Sequence, residues 1–558
     1  MIKFISPLIK QKGIAKTETP KLEDVFIFKG ENLGLQLEIE LEERIWVNLN
    51  KNTSIPWSGL AKSYRLAIEG DLPSCIQFEE NVQDDDGIPK KDRIVKDKAK
   101  FLGVGSHVLW ADFEIKEAGI YYPKIRVYER EGYSEEALVY EDSIKVEVAN
   151  HKLEVEEEFY LDLWQHPSSV ANYYKTEVFS EEHLNLMDSF LKPLGEAGQK
   201  VCYLVVSDYP WSGQSCHVVD ENNTSLYEYN ILKVSKSSGK LNIDFSAMDK
   251  YIGLCEKHGI SEEINLFGLL DNWDRHGFSH PLEDYGDAIR VRYYDETRGV
   301  YDFLRKKEEI REYIEMIFDY LKEKGYWEKV KVMGDMPKDT SKSAEFQKFL
   351  CSISPDVSIK YALHIADFLN EFNGNVDSFS IALPTLLEEY KEKDSEMLKN
   401  MDKLTWYVCR FPKNFNQFIR SPLIESRLIG YYTYIFGMKG FLRWNYCLWP
   451  NDIDGDTKYR PDMWPAGDMF FVYPNRSGKP DFSLRFKHMV YGINEFNIFK
   501  AFEKKLGREK IGKIVGEIVG DIEGMYYDKE TDLIYEYKYK DDFKLISEIK
   551  RNLIKAVS

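Results

Sequence analysis

The run Met333-Gly334-Asp335-Met336-Pro337 sets one carboxylic acid between two methionines, where an apolar stretch gives way to a proline. Apolar surroundings desolvate a carboxyl group and favour the protonated form from which a general acid must start. The same residues also read as a plain turn, with Asp335 bonding its own backbone. Polar and aromatic groups follow other apolar runs in the same way. They are Trp164-Gln165-His166-Pro167, Ser207-Asp208-Tyr209-Pro210-Trp211, Asp271-Asn272-Trp273-Asp274, Trp406-Tyr407 through Arg410, and Arg443-Trp444-Asn445-Tyr446 through Trp449. Indole rings stack on the C–H faces of a pyranose while Asp, Arg and His bond its hydroxyls. Asp335 is therefore the candidate acid/base, and Trp164, His166, Asp208, Trp211, Asp271, Trp273, Trp406, Arg443, Trp444 and Trp449 are candidate carbohydrate contacts. At 14% aromatic content, any single ring is more often packing than a sugar platform.

Cleaving a glycosidic bond takes a proton donor for the departing oxygen and a group that stabilises the oxocarbenium-like centre, either a second carboxylate or the substrate's own 2-acetamido group. Asp208, Asp271 and Asp274 are the candidate second carboxylates. His166 and His364 have no second ligand at a metal-binding spacing, so no metal is expected. Phosphate-cradling glycine loops and the G-x-S-x-G elbow are absent, so neither a nucleotide cofactor nor serine-hydrolase chemistry is expected.

These groups need a frame. From about Leu22 to Val148 short alternating runs such as Leu35-Gln36-Leu37-Glu38-Ile39-Glu40-Leu41 predict antiparallel strands with one dry face, and Gly119 to Val127 reads as one late strand. After about residue 152 the pattern becomes strand, loop, helix, glycine, strand. Ser180 caps a helix that stops at Gly198 before the strand Lys200 to Ser207. A helix from Phe245 stops at Gly259 before Glu263 to Leu270, and one from Tyr301 stops at Gly325 before Val330 to Met333. Strands over Glu158 to Trp164, Val357 to Ile365, Val376 to Leu383, Leu404 to Arg410 and Gly440 to Leu448 complete a set of eight, with only a short helix fitting at 367–375. Eight such units predict a (β/α)8 barrel with its chemistry at the carboxyl ends of the strands. The predicted organisation is an N-terminal β-sandwich over 1–151, a (β/α)8 barrel over 152–506 closed by a helix from Ser483 to Leu506, and a helical, charged appendage over 507–558.

The 558 residues carry a formal charge of -19, which repels phosphate backbones and anionic lipid, so nucleic acid and membranes are not expected partners. No eighteen-residue apolar block or leader-like start is found, and seven scattered cysteines without a C-x-x-C pair suit a reducing cytoplasm.

Several stretches together resemble glycoside hydrolase family 123, the β-N-acetylgalactosaminidases and their bacterial relatives grouped under domain of unknown function 4091. They are Leu161-Asp162-Leu163-Trp164-Gln165-His166-Pro167, Ala197-Gly198-Gln199-Lys200-Val201, Pro210-Trp211-Ser212-Gly213-Gln214, Gly440-Phe441-Leu442-Arg443-Trp444-Asn445-Tyr446, Pro465-Ala466-Gly467-Asp468 and Ser483-Leu484-Arg485-Phe486. The resemblance implies retaining, substrate-assisted hydrolysis of N-acetylhexosaminides, with an Asp-Glu pair followed by x-Pro ending the fourth strand. The Glu would be acid/base and the Asp would orient the acetamido group. Here that pair is Gly334-Asp335, so the donor is shorter by one methylene, roughly 1.5 Å, and the orienting carboxylate is missing. A hydrolase on a glycoside, including an N-acetylhexosaminide, and a catalytically inactive carbohydrate-binding relative both follow from that departure.

Overall fold

The computed structural model describes residues 1–11, 19–51, 62–210, 227–273, 280–366, 368, 371, 378–391, 401–457 and 464–557. Eight parallel strands form one sheet in which every neighbour in sequence is a neighbour in space. They are β1 (Tyr160–Leu163), β2 (Val201–Val205), β3 (Glu263–Phe267), β4 (Val330–Asp335), β5 (Ile359–Leu363), β6 (Ser378–Ala382), β7 (Thr405–Tyr407) and β8 (Gly440–Arg443). Their burial on both faces is what the unbroken apolar runs predicted.

The seam between β1 and β2 has a single backbone bridge, Leu161 to Gln199, with the Lys200 N–H donating to the Leu161 carbonyl at 3.0 Å. Two buried glutamines supply the missing rungs. The Gln199 amide accepts from the Leu163 N–H at 2.8 Å and donates to the Val201 carbonyl at 2.8 Å. Gln165 donates to the Val201 carbonyl at 3.3 Å and accepts from the Tyr203 N–H at 2.9 Å. Side-chain amides thus substitute for ladder bonds across the junction and satisfy strand groups that would otherwise be buried unpaired.

Charged groups fill the amino-terminal end of the cylinder. Lys360 reaches Asp162 at 2.7 Å and Glu263 at 2.9 Å, and Lys331 reaches Glu263 at 2.7 Å. Burial works to raise the Glu263 pKa, but the two lysines outweigh it and hold the carboxylate at about 2. With that end occupied by ion pairs, a ligand has to enter from the opposite rim.

Helix caps follow the local signals. The Ser180 hydroxyl accepts from the His183 N–H at 3.2 Å at the head of Glu181–Glu196, and Ser483 accepts from Phe486 at 3.0 Å at the head of Leu484–Leu506. The long third helix differs from expectation. It spans Lys307–Glu323, while Tyr301 lies in a strand, Val300–Phe303. That strand belongs to a four-stranded sheet with Arg292–Asp295, Lys233–Ser237 and Lys240–Asp244, inserted in the loops after β2 and β3. The short helix expected at 367–375 falls almost wholly outside the described residues.

The N-terminal region holds a seven-stranded, a five-stranded and a three-stranded sheet. The segment Gly119 to Val127 is two strands rather than one. Gly119–Tyr121 pairs with Lys145–Ala149 and Lys124–Glu131 pairs with Lys62–Glu69, in different sheets. Pro123 stands at the break, because it has no N–H for a ladder. Two strands from beyond the barrel, Val472–Tyr473 and Asp481–Ser483, extend the seven-stranded sheet through the pairing of Phe482 with Ile94. Residues 508–557 comprise two helices and a hairpin packed against the rest of the chain. The Ser547 hydroxyl accepts from the Phe26 N–H at 3.1 Å, and Lys550 bridges Glu31 at 2.6 Å and Glu495 at 2.9 Å. No helix among the described residues is long and apolar enough to cross a membrane.

Candidate active site

Strand β4 ends at Asp335, and the side chain lines a cavity of about 280 Å³ at the carboxyl end of the barrel. Trp164, Trp273, His364, Tyr407, Trp444 and Trp464 are among the other walls. Asp335 is 6% exposed and is the one carboxylate among the described residues that line this space. Its backbone carbonyl accepts from the Trp273 indole N–H at 2.9 Å, which ties the loop after β3 to the end of β4. Lys338 sits over the Trp273 ring at 4.5 Å.

The floor is aromatic. Trp164 stacks on Tyr203 at 6.4 Å and 23°, and Phe267 meets Trp164 edge-on at 4.8 Å. Tyr407 is 3% exposed, its hydroxyl has no hydrogen-bond partner, and its pKa is raised far above the usual value by burial and by the charges of Cys409 and Asp335. A buried phenol without a partner costs about 1–3 kcal/mol unless a ligand completes it.

The other residues singled out in the sequence take several places. Trp164, Trp273 and Trp444 line the cavity with Asp335. His166, fully buried, lies behind it, with Nε2 2.6 Å from the Trp444 carbonyl and Nδ1 3.3 Å from Glu228. Trp406 faces outward, its indole donating to Thr433 at 2.8 Å on the surrounding helix Leu423–Phe436. Trp449 donates to the Val472 carbonyl at 2.8 Å and packs on Tyr173 and Phe190. Arg443 is 0% exposed and spends its donors on Asn416 at 2.7 Å, Gln417 at 2.6 Å and Asp468 at 2.7 Å. It therefore anchors the loop after β7 instead of reaching the cavity. Trp211 and Asp274 fall outside the described residues.

Asp208 and Asp271 do not line the Asp335 cavity. Asp208 lines a second cavity, described below. Asp271, held at φ 52°, accepts from Ser343 at 2.7 Å and Tyr361 at 2.6 Å, and its own N–H donates to Asp287 at 2.8 Å. Burial first, and then the Asp287 charge, push its pKa up to about 7. Because the folded value exceeds the unfolded one, the folded state binds more protons between about pH 4 and 7, and stability falls as pH rises through that window. Asp271→Asn removes this titration. The melting temperature of the variant, taken relative to the parent, should climb from pH 4 to pH 7.5. A flat difference across that range would show that Asp271 does not titrate there.

Gly334 answers what became of the missing carboxylate position. A Cβ at 334 would stand 2.3 Å from Cε1 and 2.6 Å from Cδ1 of Tyr361, a ring that is 0% exposed and fixed by its bond to Asp271. The space that a side chain would need is filled by that tyrosine.

The sequence singles out Trp406 rather than its neighbour Tyr407, and gives His364 no ligand role. A strand alternates its faces, so once Trp164, Asp335 and Leu442 point inward the parity of β7 follows; the parity of a three-residue strand is not visible in isolation.

Residues 164–502 match the family description "Glycoside hydrolase 123, catalytic domain". The chain belongs to glycoside hydrolase family 123. A solved family 123 glycoside hydrolase from Clostridium perfringens, described in connection with glycolipid glycan hydrolysis, superposes with a TM-score of 0.73 at 17% identity, covering 100% of this chain and 98% of that one. At that identity the likeness speaks for the fold, including the barrel. A family 39 enzyme from Xanthomonas axonopodis pv. citri gives a TM-score of 0.34 at 10% identity over 62% of this chain and 67% of that one, too low to bear on the fold. Comparison with curated proteins gave no match. Family 123 membership makes this a glycoside hydrolase-like protein whose expected ligand is a carbohydrate.

Proposed function

We propose that the protein hydrolyses a terminal N-acetylhexosaminide with retention, Asp335 acting as acid and then base. The supporting observation is the solitary carboxylate. Two-carboxylate mechanisms place a second acid about 5–10 Å from the first. None of the described residues lining the cavity is such an acid, which supports a nucleophile that comes with the substrate, as an acetamido carbonyl oxygen. In the first step Asp335 gives its proton to the glycosidic oxygen while that C–O bond breaks and the acetamido oxygen bonds the anomeric carbon. In the second step Asp335 takes a proton from water, whose oxygen attacks the same carbon and reopens the ring, so both bond changes balance. The unpartnered Tyr407 hydroxyl is suited to donate to the acetamido oxygen and partly replace the orienting carboxylate.

The Tyr361-filled space at Gly334 favours a second reading, a carbohydrate-binding relative without turnover. A panel of aryl β-glycosides with and without a 2-acetamido group tests the two. The first reading expects release of the aryl group from 2-acetamido sugars alone. Cleavage of simple β-glycosides at equal rate would end the substrate-assisted assignment, and no cleavage together with calorimetric sugar binding would establish the second. We also read the N-terminal sheets as a β-sandwich, with 1–151, 152–506 and 507–558 as the three units, in a protein of the reducing cytoplasm. The N-terminal sheets and the eight-stranded parallel sheet, which are separate sheets, support the division, and free thiols at the described cysteines fit the compartment.

A further inference from the structure

A second cavity, of about 610 Å³, opens on the same rim as the first. Its walls come from the segments that follow β1, β2 and β3, on the side where loops leave the strands toward the helices, and from the inserted four-stranded sheet. Asp208 forms its inner wall. That carboxylate is 2% exposed and forms an ion pair with Arg292 at 3.6 Å, and its Oδ2 makes no closer hydrogen bond. A buried carboxylate oxygen left in this state is costly unless an O–H or N–H from a ligand reaches it.

The outer wall is aromatic. Tyr294 and Tyr301 are 39% and 68% exposed, with ring centroids 5.2 Å apart, and Arg292 lies over Tyr229 at 5.8 Å and over Tyr301 at 5.2 Å. Exposed tyrosine faces on a cavity wall, in a chain that buries most of its rings, are poorly explained by packing. The walls carry three carboxylates, Glu177, Asp208 and Asp244, against two cations, Lys233 and Arg292, so the space suits a neutral, hydroxyl-rich ligand over an anionic one.

The chain places the two cavities side by side. His166 lies between them, with Nε2 2.6 Å from the carbonyl of Trp444, which lines the first cavity, and Nδ1 3.3 Å from Glu228, the residue before Tyr229 in the wall of the second. That buried contact makes a partition shared by the two. We propose that the Asp208 cavity is a second carbohydrate subsite, which holds inner sugars of an oligosaccharide whose terminal residue occupies the Asp335 cavity. This rests on the reading of the first cavity as a sugar site. Asp208 Oδ2 accepts a sugar hydroxyl, Arg292 donates to ring or hydroxyl oxygens, and Tyr294 and Tyr301 stack on C–H faces.

Calorimetric titration of the full chain carrying Asp335→Asn, so that no glycoside is cleaved during the measurement, with a tetrasaccharide ending in β-N-acetylgalactosamine and with free N-acetylgalactosamine, tests the subsite. The tetrasaccharide is expected to bind at least about tenfold more tightly, a difference of about 1.4 kcal/mol. Tyr301→Ala and Asp208→Asn should each reduce that advantage to about threefold or less. Tyr301 is exposed enough for its variant to fold if Asp208→Asn does not, and melting curves verify both. Folded variants that keep the full advantage would overturn the subsite, as would an Asp335→Asn chain that binds both sugars equally. If the parent cleaves no aryl glycoside yet Tyr301→Ala still loses the advantage, the subsite stands and the hydrolase reading falls.

Discussion

Asp335→Asn should lower turnover of a 2-acetamido aryl glycoside by about a thousandfold while sugar affinity changes little, because general acid–base transfer contributes about 10²–10⁴ to such reactions. Asparagine keeps the size and the acceptor oxygen of the side chain but carries no transferable proton. The effect should depend on the leaving group. A nitrophenolate departs without much help, so its release should suffer less in the first step than that of an alkyl alcohol, whose oxygen must be protonated as the bond breaks. Measuring kcat/KM over aryl groups of rising pKa therefore separates loss of a proton donor from loss of structure. A steeper dependence on leaving-group pKa in the variant is the expected signature. A variant with parental turnover, or one equally impaired on every leaving group with weakened binding, would remove Asp335 from the acid role. The burial of Asp335 among Trp164, Trp273 and Trp444 is what gives this expectation its force, since a solvent-exposed turn aspartate would show no such pattern.

Gly334→Asp, which recreates the acidic pair of the family, is expected to damage the protein without restoring a function. The first atom of any new side chain would overlap Tyr361, whose hydroxyl donates to Asp271 at 2.6 Å and accepts from Gln347 at 3.2 Å. Overfilling a packed site costs about 1–3 kcal/mol, and a carboxylate driven into it adds a desolvation penalty. Gly334→Ala should thus lose about 2 kcal/mol in chemical denaturation and Gly334→Asp more. Adding Tyr361→Ala should recover part of the loss in the double variant, because the two changes share one volume. Parental stability of Gly334→Asp, with raised turnover, would contradict this. In this chain the space beside position 334 is taken by the Tyr361 ring.

The place of the candidate site was legible at the level of strands. The second, third and fourth barrel strands were visible as apolar runs between a helix-stopping glycine and a polar loop, the others as apolar runs alone, and those runs put Asp335 at the end of the fourth. Within each loop, however, the reading favoured the largest aromatic or the most charged residue. Trp406 and Trp449 are large because they fill space between layers, and Arg443 is charged because Asp468 and two amides surround it. Cavity residues such as Tyr407, His364 and Trp464 carry no stronger local signal than these.

What the sequence by itself determined is therefore local and periodic: the eight strands, the serine caps, the glycine stops, and the acid that ends β4 in a chain matching family 123. Those features follow from backbone hydrogen bonding and side-chain period, which act over a few residues. The tertiary structure alone decided which face each residue presents. It turned Asp208 to the second cavity, sent Trp406 outward and Tyr407 inward, and set Tyr361 in the space beside Gly334. Direction and vacancy arise when distant segments close a barrel and compete for volume, and that competition has no trace in the order of residues along one strand.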